Sequence, residues 1–244
     1  MTDSCIIIPC YNEANRLNIE AYKTFQKQNK SFDLLFVNDG STDNTLSVIN
    51  NLKAELPNTS ILNFKKNSGK AEAIRQSVLS LEYNYKYIGY LDADLSTPLS
   101  EILRLLNIAK TENKRFVLGS RIKVLDASIK RKVYRHFFGR LVATFIDSLV
   151  LKLEIYDTQC GAKIINRELA ASIFKEEFKT KWLFDVELLA RTKKGFGIAY
   201  CKNNILEVPL NQWHDTEDTR ILFIDFLKTP FVLIKLYYYY KQND

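Results

Sequence analysis

Glycine and proline are scarce in this 244-residue chain, at 8 and 5, so no long flexible linker is expected. Cysteine is sparse and scattered. Cys5, Cys10, Cys160 and Cys201 form no C-x-x-C pair, which excludes a zinc ribbon or a disulfide framework and fits a reducing compartment. The two histidines, His136 and His214, stand without a partner at metal-ligand or triad spacing, so neither is assigned chemistry. No charged-then-apolar leader opens the sequence, because its first apolar run, residues 5–8, is too short for a signal core. No uninterrupted apolar run reaches membrane-spanning length. The nearest are broken by Arg140 and Asp147, or by Asp225, Lys228, Pro230 and Lys235. The chain is therefore read as non-spanning, with the option of lying on a bilayer.

What remains is ordinary globular material, 46% hydrophobic and 26% charged. The length suits one large α/β domain or two small ones with a sizeable core. The formal net charge is +7, and its distribution is uneven. Arg121, Lys123, Lys130, Arg131, Lys132, Arg135 and Arg140 face a single acid, Asp126, in that stretch. Such a cluster suits phosphate, anionic lipid or nucleic acid, or is a solvated face. No nucleic-acid-binding motif accompanies it, so no nucleic-acid partner is expected.

The first half alternates short apolar runs with helical patterns. Strands are predicted over 5–8, 32–37, 61–64, 87–91 and 116–118, and helices over 15–28, 45–55, 70–81 and 99–110. This alternation predicts a mostly parallel sheet with helices on both faces, and ligands outside the carboxyl ends of its strands. The unusual residues fall at those ends: Pro9, Tyr11, Asn12 and Glu13; Asp39 to Asp43; Asn67 to Lys70; and Asp92-Ala93-Asp94. The second half is less regular. Residues 128–151 read as an amphipathic helix, 157–163 as a loop or short strand, and 166–174 and 182–193 as helices. Residues 198–200 and 205–208 read as a strand pair, and 219–240 as an apolar helix interrupted at Pro230.

Asp92 and Asp94 flank one small residue after a buried strand, so both carboxylates can meet one cation. Unpaired, they would repel; a divalent ion removes that cost, and their oxygens suit Mg²⁺ or Mn²⁺ shared with substrate phosphates. Asp39 is suited either to accept from a nucleobase N–H or to build the Asn-Asp-Gly-Ser turn. Lys70 sits at a helix start, where a cation opposes the dipole, so it is read as facing an anion such as a diphosphate. Arg75, just over a turn later, either shares that role or forms a surface pair.

In combination, Ile-Ile-Pro-Cys-Tyr-Asn-Glu (7–13), Val-Asn-Asp-Gly-Ser-Thr-Asp (37–43), Asn-Ser-Gly-Lys-Ala (67–71) and Asp-Ala-Asp (92–94) resemble the donor half of family-two glycosyltransferases, which have the GT-A fold. Val-Leu-Gly-Ser-Arg (117–121), Asp-Thr-Gln-Cys-Gly-Ala-Lys (157–163), Trp-Leu-Phe-Asp-Val-Glu (182–187) and Glu-Val-Pro-Leu-Asn-Gln-Trp (207–213) narrow the resemblance to dolichyl-phosphate glucosyltransferases and their mannosyltransferase relatives. The resemblance implies an α/β GT-A domain over 1–218, with a donor half (1–119) and a helical and short-strand acceptor half (120–218). An amphipathic C-terminal helix, 219–244, follows.

The same resemblance implies that Pro9, Tyr11, Glu13 and Asp39 hold the nucleoside, while Asp92 and Asp94 hold the metal and diphosphate. Arg121, with Arg131 or Arg135, grips the acceptor phosphate. Asp157 and Gln159 build the sugar and acceptor site, and Trp182 and Asp185 line the donor sugar. The implied activity is inverting transfer of a hexose, glucose from UDP-glucose, to a polyprenyl phosphate by a cytoplasmic protein peripheral at the inner face of a membrane. Because a phosphate acceptor is already anionic, Asp185 need not act as a base; with an alcohol acceptor it is the leading base candidate. Some mannosyltransferase relatives carry a metal-binding Gln where Ser96 stands here, which either favours the glucosyl branch or weakens metal binding; the Asp-Thr-Gln-Cys-Gly run (157–161) tilts the donor toward glucose. GDP-mannose or UDP-N-acetylglucosamine as donor, a glycan or other hydroxyl acceptor, and a non-catalytic binding protein remain the alternatives.

Overall fold

The computed structural model describes residues 2–82, 84–125, 127–130, 147–215 and 223–240. Among these, seven strands form the central sheet. They are β1 (Ser4–Cys10), β2 (Asp33–Asp39), β3 (Thr59–Phe64), β4 (Tyr87–Leu91), β5 (Phe116–Ser120), β7 (Ala162–Asn166) and β8 (Ile205–Pro209), in the order β3-β2-β1-β4-β7-β5-β8. β1, β2, β3 and β4 run parallel, as do β5 and β8, and β7 is antiparallel to both its neighbours. β6 (Ser128–Lys130) and β9 (Gln212–His214) pair in a small second sheet.

The sheet is buried on both faces, which explains its unbroken apolar runs. Along β1 the side chains alternate. Ile7 enters the core shared with α3 (Lys70–Ser80), α5 (Arg167–Ile173) and α6 (Phe184–Asn204). Ile6 and Ile8 enter the other core, with α1 (Ile19–Gln28), α2 (Thr45–Glu55) and α4 (Leu99–Thr111). After β3 the chain returns to the far side of β1 to lay down β4, so the strand order reverses between β1 and β4. A crevice opens at such a switch point, beyond the carboxyl ends of the two strands.

Several expectations are corrected. α1 begins at Ile19 rather than at 15, because the Asn18 side chain accepts from Ala21 N and caps the helix there. Residues 128–130 are a strand, drawn out by pairing with β9, and Asp147–Leu151 is a π-helical turn. Most of the helix expected between them, with Arg131, Arg135 and His136, lies outside the described residues. Residues 198–200 are helical rather than strand, since α6 resumes after a kink at Gly197 (φ 84°).

The C-terminal helix α7 (Phe223–Tyr240) runs through Pro230 without a break. Beyond it, Leu233 and Leu236 anchor the helix in the main core. The last tyrosine adds a polar fastening. Tyr240 Oη donates to Glu187 Oε1 at 2.7 Å and accepts from Arg191 Nε at 3.2 Å. Glu187 is fully buried and also accepts from Lys179 N at 3.0 Å and Arg191 at 2.8 Å. Tyr240→Phe removes a hydrogen bond to a buried carboxylate and is expected to cost about 1.5–3 kcal/mol. Urea unfolding checks this: the midpoint falls with the slope unchanged, and an unchanged midpoint would show that this contact does not secure the helix.

Candidate active site

Three loops at the sheet edge are stitched together by short polar side chains. Asn12 adopts φ 51°, a conformation Asn tolerates. Its N–H donates to Ser41 Oγ at 3.0 Å, and its Oδ1 accepts from Thr42 N at 2.8 Å. Glu13 N donates to Thr45 Oγ1 at 2.8 Å and Ala14 N to Asp43 Oδ2 at 3.1 Å. Asp39 is the hub. Its Oδ1 accepts from Ser68 N and Ser68 Oγ, and its Oδ2 from Gly69 N, all at 2.8 Å. A buried carboxylate thus caps α3 from a neighbouring strand, satisfying donors that the helix start leaves open. Gly40 (φ 64°) is obligatory here, because a Cβ would lie 2.4 Å from Asn67 N. Tyr11 and Pro9 sit half-buried at the mouth of these loops, and Glu13 is buried beneath it.

Asp92 follows β4 directly. Its carboxylate pairs with Lys70 Nζ and rests against Gly161, where a Cβ would stand 1.9 Å from Asp92 Oδ2. Asp94 Oδ1 accepts from Ser96 N at 2.9 Å, and its Oδ2 lies 3.5 Å from Arg16. The repulsion expected between the two aspartates is therefore relieved by two cations of the chain itself. Burial opposes the Lys70 ammonium, but the Asp92, Asp185 and Asp94 carboxylates outweigh it and hold its pKa above the usual lysine value. Its Nζ also sits 5.8 Å over the Phe184 ring. Arg75 is not part of this site: it pairs with Glu72 and with the carbonyl of Lys175.

Below Lys70 lies a buried polar knot. Asp185, 5% exposed, accepts on Oδ1 from Tyr90 Oη and from Lys163 Nζ, the latter at 2.7 Å. Trp182 is half-buried against the same core. On the other side, Arg121 forms a two-pronged pair with Asp157, Nε to Oδ2 at 2.7 Å and a terminal nitrogen to Oδ1 at 2.8 Å. Its guanidinium lies 5.5 Å over buried Trp213. Burial works against that charge, yet the Asp157 carboxylate raises the Arg121 pKa far above its usual value, helped by Cys160 and Asp92. Glu207 holds the Asp157 loop by accepting Tyr156 N and Asp157 N. Gln159 Nε2 is buried and has no hydrogen-bond partner among the described residues.

The structure thus gathers Asp39, Lys70, Asp92, Asp94, Asp185 and Arg121 along one edge. Arg131 and Arg135 fall outside the described residues. Sequence reasoning missed Arg16, and it noted Gly161, Lys163 and Glu207 only as motif letters. The one available signal was a lysine inside an otherwise apolar strand, Ala162-Lys163-Ile164-Ile165.

A family model described as glycosyl transferase family 2 matches residues 5–174. The chain belongs to glycosyl transferase family 2. Dolichyl-phosphate beta-glucosyltransferase ALG5A of Trichomonas vaginalis is 30% identical to this glycosyltransferase over 95% of its chain and 72% of that protein. The enzyme of the same description from Saccharomyces cerevisiae is 29% identical over 96% of this chain and 74% of its own. The Homo sapiens enzyme is 28% identical over 89% and 69%. Among solved structures, glucosyl-3-phosphoglycerate synthase from Mycobacterium tuberculosis with Mn²⁺, UDP and glucosyl-3-phosphoglycerate superposes with a TM-score of 0.72. It is 17% identical, and the match covers 98% of this chain and 80% of that one. At that identity the likeness establishes the fold, the GT-A architecture expected from the sequence.

Asp39→Ala strips the cap from Ser68 and Gly69 and is expected to cost about 1–3 kcal/mol for each buried donor left open. Thermal denaturation should show a fall of about 2–4 °C per kcal/mol. An unchanged Tm would mean the loop does not depend on this carboxylate.

Proposed function

We propose that the protein transfers glucose from UDP-glucose, with inversion, to the phosphate of a dolichol-type polyprenyl phosphate at a membrane surface. The observation that carries this reading is the convergence at the β1/β4 switch point of an acidic pair beside Lys70 and a preorganised arginine, Arg121, within electrostatic reach of Asp92. The dolichyl-phosphate β-glucosyltransferases that match nearly the whole chain support the same substrate pair.

Residues 1–119 form the donor half and 120–218 the acceptor half. Pro9, Tyr11, Glu13 and the Asp39-clamped loops receive the nucleoside, and Lys70 meets the diphosphate. Asp92 and Asp94 fit a divalent metal, Mg²⁺ or Mn²⁺. Their side chains are 39% and 19% exposed and already attract cations. No cluster of three acidic, His or Cys side chains that could hold a metal occurs among the described residues, so diphosphate and water oxygens would complete the shell. When bound, the ion supplies charge stabilisation for the departing diphosphate. The unpartnered Gln159 Nε2 suits a sugar hydroxyl, because buried donors are rarely left unmade, and Trp182 and Asp185 line the sugar beside it.

Arg121, with Arg131 or Arg135, binds the acceptor phosphate. Its Nε and one terminal nitrogen are spoken for by Asp157, which fixes the plane of the guanidinium for a second, bidentate partner. A phosphate nucleophile needs positioning and charge screening rather than deprotonation. Asp185 is suited to that scheme, since its Oδ1 already serves Lys163 and Tyr90 and orients them.

No helix among the described residues is long and apolar enough to cross a membrane. The outward face of α7 carries Phe231, Ile234 and Tyr238, 75%, 48% and 72% exposed. We assign that face, backed by the buried Leu233 and Leu236, to peripheral contact with the cytoplasmic leaflet, where the lipid acceptor is presented.

The test is transfer of labelled glucose from UDP-glucose to a polyprenyl phosphate with Mg²⁺ or Mn²⁺. Wild type should form product. Asp94→Ala should form none, and Arg121→Ala should lose about 10²–10³ in turnover, as for the removal of a transition-state charge partner. Product from GDP-mannose alone would overturn the donor assignment. An alcohol acceptor, with Asp185→Asn severe and Arg121→Ala mild, would overturn the acceptor.

A further inference from the structure

Lys163 is the one fully buried lysine among the described residues, at 0% exposure, and it lies mid-strand in β7. A buried ammonium is costly unless its donors are met. Here they serve two groups. Nζ donates to the carbonyl of Cys160 at 2.5 Å and to Asp185 Oδ1 at 2.7 Å, and it sits 5.5 Å from the Tyr90 ring centre.

Both links end at the same carboxylate. The Cys160 carbonyl opens the peptide bond to Gly161, and Gly161 is the floor on which Asp92 rests, with no room for a methyl group. Strand pairing holds that floor in register, Leu91 opposite Ala162 and Tyr90 opposite Lys163. Asp185, on the other arm, follows Phe184, whose ring lies under the Lys70 ammonium that pairs with Asp92. An ion pair with Asp185 alone would bolt α6 to the sheet. The second bond meets another ammonium donor and does so on the backbone beneath Asp92, which ties that backbone to the same bolt.

We propose that Lys163, through the Cys160–Gly161 backbone it holds, is a positioning residue that sets the Asp92 carboxylate for the divalent cation and diphosphate of the donor. This rests on the reading of Asp92 as the metal anchor. The ammonium touches neither substrate nor cation. It acts by fixing the height and tilt of the surface that supports Asp92, as outer partners of metal ligands commonly do.

The experiment is calorimetric titration of UDP into the full chain, with and without Mn²⁺, read as the gain in UDP affinity that Mn²⁺ confers. Two variants disturb the support from its two ends. Lys163→Met removes both hydrogen bonds at nearly constant volume. Gly161→Ala pushes a methyl group into the space Asp92 occupies. Each is expected to lose about tenfold or more of the Mn²⁺-dependent gain, the size seen for loss of outer-shell partners, while UDP binding without metal changes little. Ile165→Ala, a core change two residues along the same strand, controls for stability. It should lower Tm and keep the Mn²⁺ gain.

If Lys163→Met does not fold, Lys163→Gln, a shorter polar side chain at the same position, decides by the same readout, because Gly161→Ala displaces Asp92 directly. A folded Lys163→Met or Gly161→Ala that keeps the full gain overturns the proposal. So does a loss matched by Ile165→Ala, which would mark the effect as general destabilisation. If wild type itself shows no Mn²⁺ gain, the metal-anchor reading of Asp92 fails, and this inference with it. A wild-type gain that survives in the variants sinks the inference alone.

Discussion

Concentrating carboxylates at one edge of a buried sheet is the constraint around which this structure is organised. Asp39, Asp92, Asp94, Asp157 and Asp185 all lie there, and four of the five are less than one-fifth exposed at the side chain or residue. Charges of one sign so placed would push each other toward protonation and the fold toward opening. Each has been given its own donors instead: backbone N–H groups for Asp39, Lys70 for Asp92, Arg16 for Asp94, Arg121 for Asp157 and Lys163 for Asp185. The pairing holds the negative groups in separate directions, an arrangement suited to receiving a cation and a phosphate ester together.

The pairs fall into two kinds. Those of Asp39, Asp157 and Asp185 are buried and serve geometry: they cap a helix, orient a guanidinium and tie a helix to the sheet. Those of Asp92 and Asp94 are more exposed: Lys70 meets Asp92 at the surface, and Arg16 approaches Asp94 only to 3.5 Å. Ligand charge can replace a partially solvated partner at little cost, whereas breaking a buried pair strands a charge. The more exposed pairs are the ones a ligand's charges can exchange and the buried ones are fixed, the division expected if substrate binding trades one set of counter-charges for another.

The first half of the chain was legible in the sequence because its strands are largely apolar and its polar residues cluster where each strand ends. Tyr87–Leu91 and Thr45–Glu55 could be bounded to the residue. The second half was less so. Its key strand, β7, is antiparallel and carries a lysine, and no periodicity announces that the lysine will meet Asp185, 22 positions away. The family resemblance singled out Arg121 as the expected grip on an acceptor phosphate, but its pairing with Asp157 depends on a contact 36 residues away. Residues 198–200 look like a strand because Ile and Tyr favour one. The Gly197 kink instead lets α6 resume, and helix–sheet packing outweighs local preference.

The terminal helix is fastened to the start of α6. Its outward apolar face and its inward anchors, Leu233 and Leu236, alternate on one helix, so their relative orientation is rigid. Tyr240 then binds Glu187, two residues after Asp185 on the first turns of α6. Glu187 in turn holds the backbone of Lys179 and Thr180, just before Trp182. If that outward face rests on the bilayer, the membrane plane is related to Trp182 and Asp185 through a short run of hydrogen bonds and packed side chains. A lipid phosphate confined to that plane would then approach Arg121 from a fixed direction. That restriction does for a membrane-held acceptor what a deep pocket does for a soluble one: it removes orientational freedom before the chemical step.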